Sequence, residues 1–136
     1  MDRIEIVRRG FQAFADNDPE ALLALLTPDV EFHVASPALA GKPAVSRRLD
    51  YSGHAGVRAR WREVDQDFRR FSVDPRHVEA VGDDAVLALG TIVFDGRPGS
   101  AGMTAGWVVA FRGDRISRID VHWDWDSARA AAAAAV

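Results

Sequence analysis

The stretch from Arg115 to Asp126 alternates strictly between polar and apolar side chains, and this pattern constrains the fold more than any other in the chain. Its apolar members are Ile119, Val121, Trp123 and Trp125, and its main polar members are Arg118, Asp120, His122, Asp124 and Asp126. A period of two residues is typical of a β-strand with one buried face. The pattern therefore predicts a strand over 115–126 that carries three carboxylates and an imidazole on one face.

The rest of the chain divides into a largely helical first half and a strand-rich second half. Apolar residues at three- and four-residue steps predict helices over 2–16, 20–26 and 53–71. Apolar runs bounded by Gly, Pro and Asp predict strands over 30–34, 72–81, 85–94 and 101–112, before the strand at 115–126. Gly102 and Gly106 predict bulges or tight curvature in the fourth of these strands.

Two segments lack a clear pattern. Residues 35–52 are rich in Ala, Pro and Gly and then basic, which predicts an irregular loop, either a lid over a pocket or a disordered connection. Residues 127–136 are nearly all alanine. Alanine favours helix but offers little to pack with, so we expect this tail to fray. The whole chain, residues 1–136, has the length of a single domain.

Composition excludes several classes of protein. The net charge of −3 is too balanced for a nucleic-acid partner. The chain has no cysteine, which excludes disulfides, thiolate metal sites and a cysteine nucleophile. The first residues lack the apolar core of a signal peptide, and no apolar run reaches the length of a membrane span. We therefore expect no membrane partner and, by default, a cytoplasmic protein.

The predicted order of elements favours an α+β domain. Three helices in the N-terminal half would lie across the concave face of a curved antiparallel sheet. Such a sheet, wrapped around its helices, forms a cone whose open end is a natural pocket for a small molecule.

Four sequence segments, taken in this order, resemble the SnoaL-like members of the nuclear-transport-factor-2-like superfamily. They are Tyr51–Val57 followed by Trp61, Val81–Leu87, Gly99–Gly102 before the strand that carries Trp107, and His122-Trp123-Asp124 before the alanine-rich tail. The resemblance covers almost the whole chain and implies a cystatin-like α+β barrel. It does not fix the function, because one fold hosts many activities.

The activities known in this superfamily match the residues unequally. Ketosteroid isomerase needs a Tyr and two Asp where this chain has Gly10, Val34 and Trp107, so steroid isomerisation is disfavoured. Limonene epoxide hydrolase holds its water with Tyr and Asn where His33 and Ala35 stand here. Polyketide cyclases of the SnoaL type use an Asp acid/base in a His-Trp-Asp segment, which His122-Trp123-Asp124 matches residue for residue.

The resemblance therefore implies a cofactor-free cyclase, isomerase or hydrolase with Asp124 as its acid/base. A carboxylate in an apolar pocket can remove a proton next to a carbonyl, and an imidazole can stabilise the enolate. His122 and His33 are the candidate imidazoles. The candidate ligand-binding residues are Tyr51, Trp61, Trp107 and Asp120. The expected ligand is a small hydrophobic or polyketide-like molecule, with no cofactor and no metal.

Other interpretations remain open. A polar strand face is by default the solvated outside of a sheet, and the protein could be a non-catalytic binding or interaction domain. Residues two apart on a strand rarely converge on one ion, which disfavours a metal site at Asp120, His122 and Asp124. A homodimer is predicted from an apolar outer sheet face, for which Trp123, Trp125, Val109 and Phe111 are the candidates.

One conflict is inherent in the strand over 115–126. If its tryptophans fill the cone, its carboxylates and imidazole cannot also line the cone unless the strand bulges or ends early. The functional interpretation depends on which face of this strand points inward.

Overall fold

The computed structural model describes residues 2–34, 49–67, 70–95 and 103–134. Within these ranges four helices and six strands follow one another along the chain. In order they are α1 (Arg3–Ala15), α2 (Pro19–Leu23), β1 (Leu26–Val34), β2 (Leu49–Ser52), α3 (Gly53–Asp67), β3 (Arg70–Val81), β4 (Ala85–Asp95), β5 (Met103–Arg112), β6 (Arg115–His122) and α4 (Trp125–Ala134).

The first two helices begin where their capping residues dictate. The Asp2 carboxylate accepts a hydrogen bond from the backbone N–H of Glu5, and the Asp18 carboxylate accepts one from Ala21. These bonds satisfy N–H groups that have no partner inside a helix. Pro19 occupies the first turn of α2, where its missing N–H costs nothing. The second helix is shorter than predicted, because Leu26 already belongs to β1.

The described strands form one sheet in the order β2-β1-β6-β5-β4-β3. The sheet is curved and not closed, in a mixed α+β architecture. Most neighbours are antiparallel as predicted, but β1 and β6 pair in parallel, which the prediction of an antiparallel sheet missed. Parallel pairing requires a long connection, and here the whole of β2 to β5 supplies it.

The predicted loop over 35–52 is wrong at its end. Leu49–Ser52 forms β2, which pairs antiparallel with Glu31–Val34 of β1. The short strand lies at the edge of the sheet and leads directly into α3 through Gly53, whose φ of 69° favours glycine. Residues 35–48, for which a lid and a disordered connection were the two alternatives, lie outside the described residues.

The two faces of the sheet are covered by different elements. The main core lies on the concave face, where α1 and α2 pack against inward residues such as Val30, Val109 and Phe111. A second core lies on the outer face, where Leu87, Leu89 and Val108 pack under α4. None of the helices in the described ranges is long and apolar enough to cross a membrane.

The alanine-rich tail does not fray as expected over residues 127–134. It forms α4, in which Ala128 and Ala132 are buried. The helix lies so close to β5 that a Cβ added at Gly106 would be 2.3 Å from the Cβ of Ala128. Gly106 is therefore needed for helix packing. Of the predicted alternatives, a bulge or tight curvature, the bulge is absent at Gly106, because the pairing of β5 with β4 runs unbroken across it. Gly102 lies outside the described residues.

The predicted basis for a homodimer changes with this arrangement. Val109 and Phe111 are buried in the concave core, and Trp123 packs against that core. Trp125 is 37% exposed, and its indole N–H donates to the backbone oxygen of Gly90. The four residues therefore do not form an apolar patch on the outer face, and the homodimer stays a prediction.

Candidate functional site

A cavity lies on the concave side of the sheet, between it and the first three helices. The space not occupied by atoms amounts to about 680 Å³, and this volume includes the part of the cavity that is open to solvent. The described residues that line it are Phe14, Leu22, Phe32, Val34, Val57, Arg60, Trp61, Val73, Ile92, Trp107, Ile119, Val121 and Trp123. An adjoining space of about 380 Å³ extends toward α1, where Val7, Gly10 and Phe11 line it. Clefts lined mainly by apolar and aromatic side chains commonly hold small organic molecules.

One wall of the cavity is a single face of α3. Arg60 and Trp61 lie three and four residues after Val57, a spacing that places each of them beside Val57 on one side of the helix. The Trp61 ring stacks on Phe14 of α1, with the ring centroids 4.8 Å apart and the planes nearly parallel. Its indole N–H donates to the side-chain oxygen of Asn17 at 3.0 Å. These contacts fix the orientation of Trp61 at the cavity wall.

The sheet contributes two further tryptophans. Trp107 of β5 is buried and meets Phe11 edge to face, with ring centroids 4.9 Å apart. Trp123 follows β6, and its backbone oxygen accepts a hydrogen bond from the Thr104 hydroxyl at 2.8 Å. Of the predicted ligand-binding residues, Trp61 and Trp107 therefore line the cavity.

The apolar face of β6 points into the cavity. Ile119, Val121 and Trp123 line it. The alternating residues Asp120 and His122 consequently lie on the opposite face of the sheet. This orientation resolves the conflict in favour of the apolar side of β6, although of the two tryptophans in the segment Trp123 lines the described cavity and Trp125 does not.

Asp124 lies beyond the strand. β6 ends at His122, and Asp124 precedes the first residue of α4. Its carboxylate accepts hydrogen bonds from the backbone N–H of Ser127 at 2.6 Å and from the Ser127 hydroxyl at 2.7 Å. The prediction that the strand continues to Asp126 is therefore wrong, and Asp124 has the geometry of a helix N-cap.

The environment of Asp124 favours its ionised form. The two hydrogen bonds from Ser127 hold the pKa of the Asp124 carboxyl below its ordinary value, and nearby His122 adds to this effect. The side chain is exposed and is not among the described residues that line the cavity. A carboxylate with a lowered pKa is a weak proton acceptor at neutral pH.

A polar cluster on the outer face contains two more of the predicted site residues. Nδ1 of His33 lies 2.5 Å from the Asp50 carboxylate, and His33 is in register with Asp120 of β6. Arg118 donates to both oxygens of Asp120, from Nε at 2.8 Å and from Nη2 at 3.1 Å. This bidentate pair is the main reason that the pKa of Arg118 is raised. His33 and Asp120 are thus brought together, but on the side of the sheet away from the cavity.

The remaining predicted residue, Tyr51, packs near Phe32 with ring centroids 6.2 Å apart. It does not belong to the described cavity lining. Within the described ranges, no group of three or more His, Asp or Glu side chains is placed to hold a metal ion.

Arg60 is the charged residue of the described cavity lining, and the sequence interpretation gave it no role. The four-residue step from Val57 to Trp61 belongs to the apolar pattern that predicts the third helix, and Arg60 lies three residues after Val57. Its spacing could have placed it on the same helical face. Phe14 and Phe32 were assigned to a helix and a strand without a role at a site, although both line the cavity.

Comparison with known proteins agrees with this architecture. A sequence profile of the SnoaL-like domain matches residues 7–119. The chain belongs to the SnoaL-like domain family. No curated protein matches this SnoaL-like domain.

Solved structures similar to this SnoaL-like domain span nearly its full length. A nuclear-transport-factor-2-like protein of unknown function from Burkholderia pseudomallei has a TM-score of 0.74 and 24% identity, over 93% of this chain and 95% of that chain. TerC, co-crystallised with polyporic acid, has a TM-score of 0.73 and 24% identity, over 95% and 96% of the two chains. A candidate polyketide cyclase from Sinorhizobium meliloti has a TM-score of 0.67 and 19% identity, over 87% and 94%. At these identities the likeness shows the fold alone.

Proposed function

We propose that this SnoaL-like domain binds a small, largely apolar and aromatic molecule in the cavity of its cone. The observation that carries the proposal is the composition of the cavity wall. Of the 13 described lining residues, 12 are apolar, and five of these are the aromatic residues Phe14, Phe32, Trp61, Trp107 and Trp123. Aromatic walls bind flat apolar molecules through burial of surface and through edge or face contacts between rings.

The same wall argues against proton-transfer chemistry inside the cavity. A general base must lie within hydrogen-bond reach of the proton that it removes. The described lining residues include no carboxylate and no imidazole. His33 and Asp120 lie on the outer face, and Asp124 caps α4, so the cavity is better suited to binding than to cyclisation.

A fluorescence titration tests the proposal. The probe is phenylnaphthylamine, a neutral two-ring compound whose emission rises in apolar surroundings, and we expect saturable binding at one site per chain. Val121→Phe fills part of the cavity and should abolish saturable binding. Val81→Phe is the matched control, because Val81 packs against the outer core instead. Absence of saturable binding to the unmodified chain would overturn the proposal.

A cofactor-free enzyme of the polyketide-cyclase type is the second candidate. It is favoured by the His122-Trp123-Asp124 segment and by the likeness to the candidate cyclase from Sinorhizobium meliloti. The variant Asp124→Asn separates the two functions, because Asn caps a helix as well as Asp but cannot accept the proton. Turnover of a polyketone substrate by the natural chain, lost in Asp124→Asn with the fold intact, would establish the cyclase. Equal turnover by both chains would exclude Asp124 as the acid/base.

A further inference from the structure

Gly10 lies in the interior of α1 and is buried. Glycine weakens the interior of a helix, so its presence there calls for a reason. Conformation does not supply one, because Gly10 belongs to a regular helix and is not among the described glycines with a positive φ. Packing does not supply one either, since a Cβ added at Gly10 would lie 3.6 Å from Cδ1 of Leu22, an ordinary contact between carbon atoms.

Little of the described structure surrounds that added Cβ. Apart from the backbone of α1 and the chain neighbours of Gly10, Cδ1 of Leu22 is the one atom of the described residues within 4 Å of it. Gly106 is the contrasting case, since a Cβ there would be 2.3 Å from the Cβ of Ala128. Gly106 thus makes room for another helix of the chain, whereas Gly10 makes room beside the cavity.

The room beside Gly10 belongs to the adjoining space toward α1, which we call the α1 space. All ten described residues that line it are apolar. Five of them also line the main cavity: Phe14, Leu22, Phe32, Trp107 and Ile119. The two spaces therefore border the same side chains, and a molecule longer than the main cavity would extend past these side chains toward Gly10.

The two spaces differ in the side chains that line only one of them. The indoles of Trp61 and Trp123 line the main cavity alone. Five residues line the α1 space alone, and four of these carry no ring: Val7, Gly10, Val109 and Ile116. Aromatic walls favour flat rings, whereas aliphatic walls bind an alkyl chain through burial of its surface, which raises affinity by about fourfold per methylene group. A charged group in the α1 space would lose its hydration without a charged partner among the described lining residues.

We propose that Gly10 is a specificity-determining residue, which admits an elongated ligand with a ring body in the main cavity and an alkyl tail in the α1 space. The tail would run past Trp107 and end beside Gly10. This assignment rests on the proposed binding function and adds to it the shape of the ligand and the residue that limits its length.

A series of para-alkylphenols, from the ethyl to the hexyl compound, tests the assignment, since its members share one ring and differ in the length of the tail. Each member displaces bound phenylnaphthylamine from the natural chain and from Gly10→Ala, Gly10→Leu and Ala15→Leu. Its affinity is calculated with the affinity of the same protein for phenylnaphthylamine. Ala15 is exposed at the end of α1, so Ala15→Leu places the same side chain on this helix but outside the cavity.

The expected result depends on the length of the tail. In the natural chain, affinity should rise along the series by up to about fourfold per methylene group. Gly10→Leu should weaken binding of the hexyl compound by about tenfold or more and that of the ethyl compound by less than about twofold, because only the longer tail reaches position 10. Gly10→Ala should show a smaller loss of the same kind together with a higher melting temperature, because alanine is the better helix former. Ala15→Leu should bind every member as the natural chain does.

The outcomes separate the role of Gly10 from the binding function. That role would be overturned by affinity that does not rise with tail length in the natural chain, by equal losses of the ethyl and hexyl compounds in Gly10→Leu, or by the same loss in Ala15→Leu. If Gly10→Leu does not fold, Gly10→Ala decides alone, and an unchanged ratio of hexyl to ethyl affinity in it would overturn the role. Failure of phenylnaphthylamine and of all the phenols to bind the natural chain would overturn the binding function itself.

Discussion

The close contact between Gly106 of β5 and Ala128 of α4 makes Gly106→Ala a direct test of how α4 is held on the sheet. The added Cβ would lie 2.3 Å from the Cβ of Ala128. Carbon atoms in good contact are about 3.5–4.0 Å apart. The helix must therefore move outward by more than about 1 Å, since the atom in the way belongs to a short side chain that cannot rotate aside.

The expected loss of stability follows from two opposing effects. Overpacking of this size costs about 1–3 kcal/mol. Replacing a strand Gly with Ala returns about 0.5–1 kcal/mol through reduced freedom of the unfolded chain. We therefore expect Gly106→Ala to lower the free energy of unfolding by about 1–2 kcal/mol and the melting temperature by roughly 4–8 °C. Urea denaturation monitored by circular dichroism measures the change in the free energy of unfolding. The change is read from the shift in the urea midpoint when the slope of the free energy against urea concentration is the same for both proteins.

The double variant provides the control. Ala128→Gly alone should cost about 1 kcal/mol through helix propensity. When it is combined with Gly106→Ala, the clashing methyl group is gone and the loss should be smaller than the sum of the single losses by about 1 kcal/mol or more. Additive losses, within about 0.5 kcal/mol, would refute the reasoning, because residues that do not touch behave additively.

Three further predictions concern the cap, the cavity wall and the assembly. Asp124→Ala should shorten α4 and reduce helical circular dichroism, whereas Asp124→Asn should not. The pKa of Asp124 lies below its ordinary value of 3.8, so its stabilising effect is complete above that pH and is lost as the pH falls through the lowered pKa. When denaturation is measured at a series of pH values, the free energy of unfolding should therefore fall less steeply at acid pH in Asp124→Asn than in the natural chain. Trp107→Ala should cost about 3–5 kcal/mol in the free energy of unfolding, because a buried indole leaves a cavity, and Trp61→Phe at most about 1.5 kcal/mol, because it loses one hydrogen bond and keeps its stacking on Phe14. The homodimer predicts a sedimentation mass of twice the 14.9 kDa of the chain at micromolar concentration, and the chain mass itself would contradict it.

The helical spacing of Trp61 in α3 favours burial in the core, and both Trp61 and Trp107 lie among the described residues of the cavity wall, so ligand binding by either stays a prediction. The expectation that His33 and Asp120 lie at the pocket failed, because a polar residue on a strand carries no mark that distinguishes the inside of a cone from its outside. Arg60 was overlooked because an arginine beside an apolar stripe is usually a solvated helix residue.

In the alternating segment over 115–126, the sequence likewise determined the local pattern but not its place in the fold. By itself the sequence determined that Ile119, Val121 and Trp123 share one side and that Asp120 and His122 share the other, since the two-residue period follows from strand geometry. The alternation also continued through Trp125, although Asp124 followed by Ser127 and an alanine run has the pattern of a helix N-terminus.

Only the tertiary structure decided which side faces the cavity and where the strand ends. The curvature of the whole sheet and the helices on its concave face bury the apolar side, and those contacts join residues far apart in the chain. Docking of Ala128 against Gly106 likewise gives the last helix a packing surface that its own composition lacks. The same geometry places Asp124 at a helix end and leaves Arg60 as the charged group of the described cavity wall.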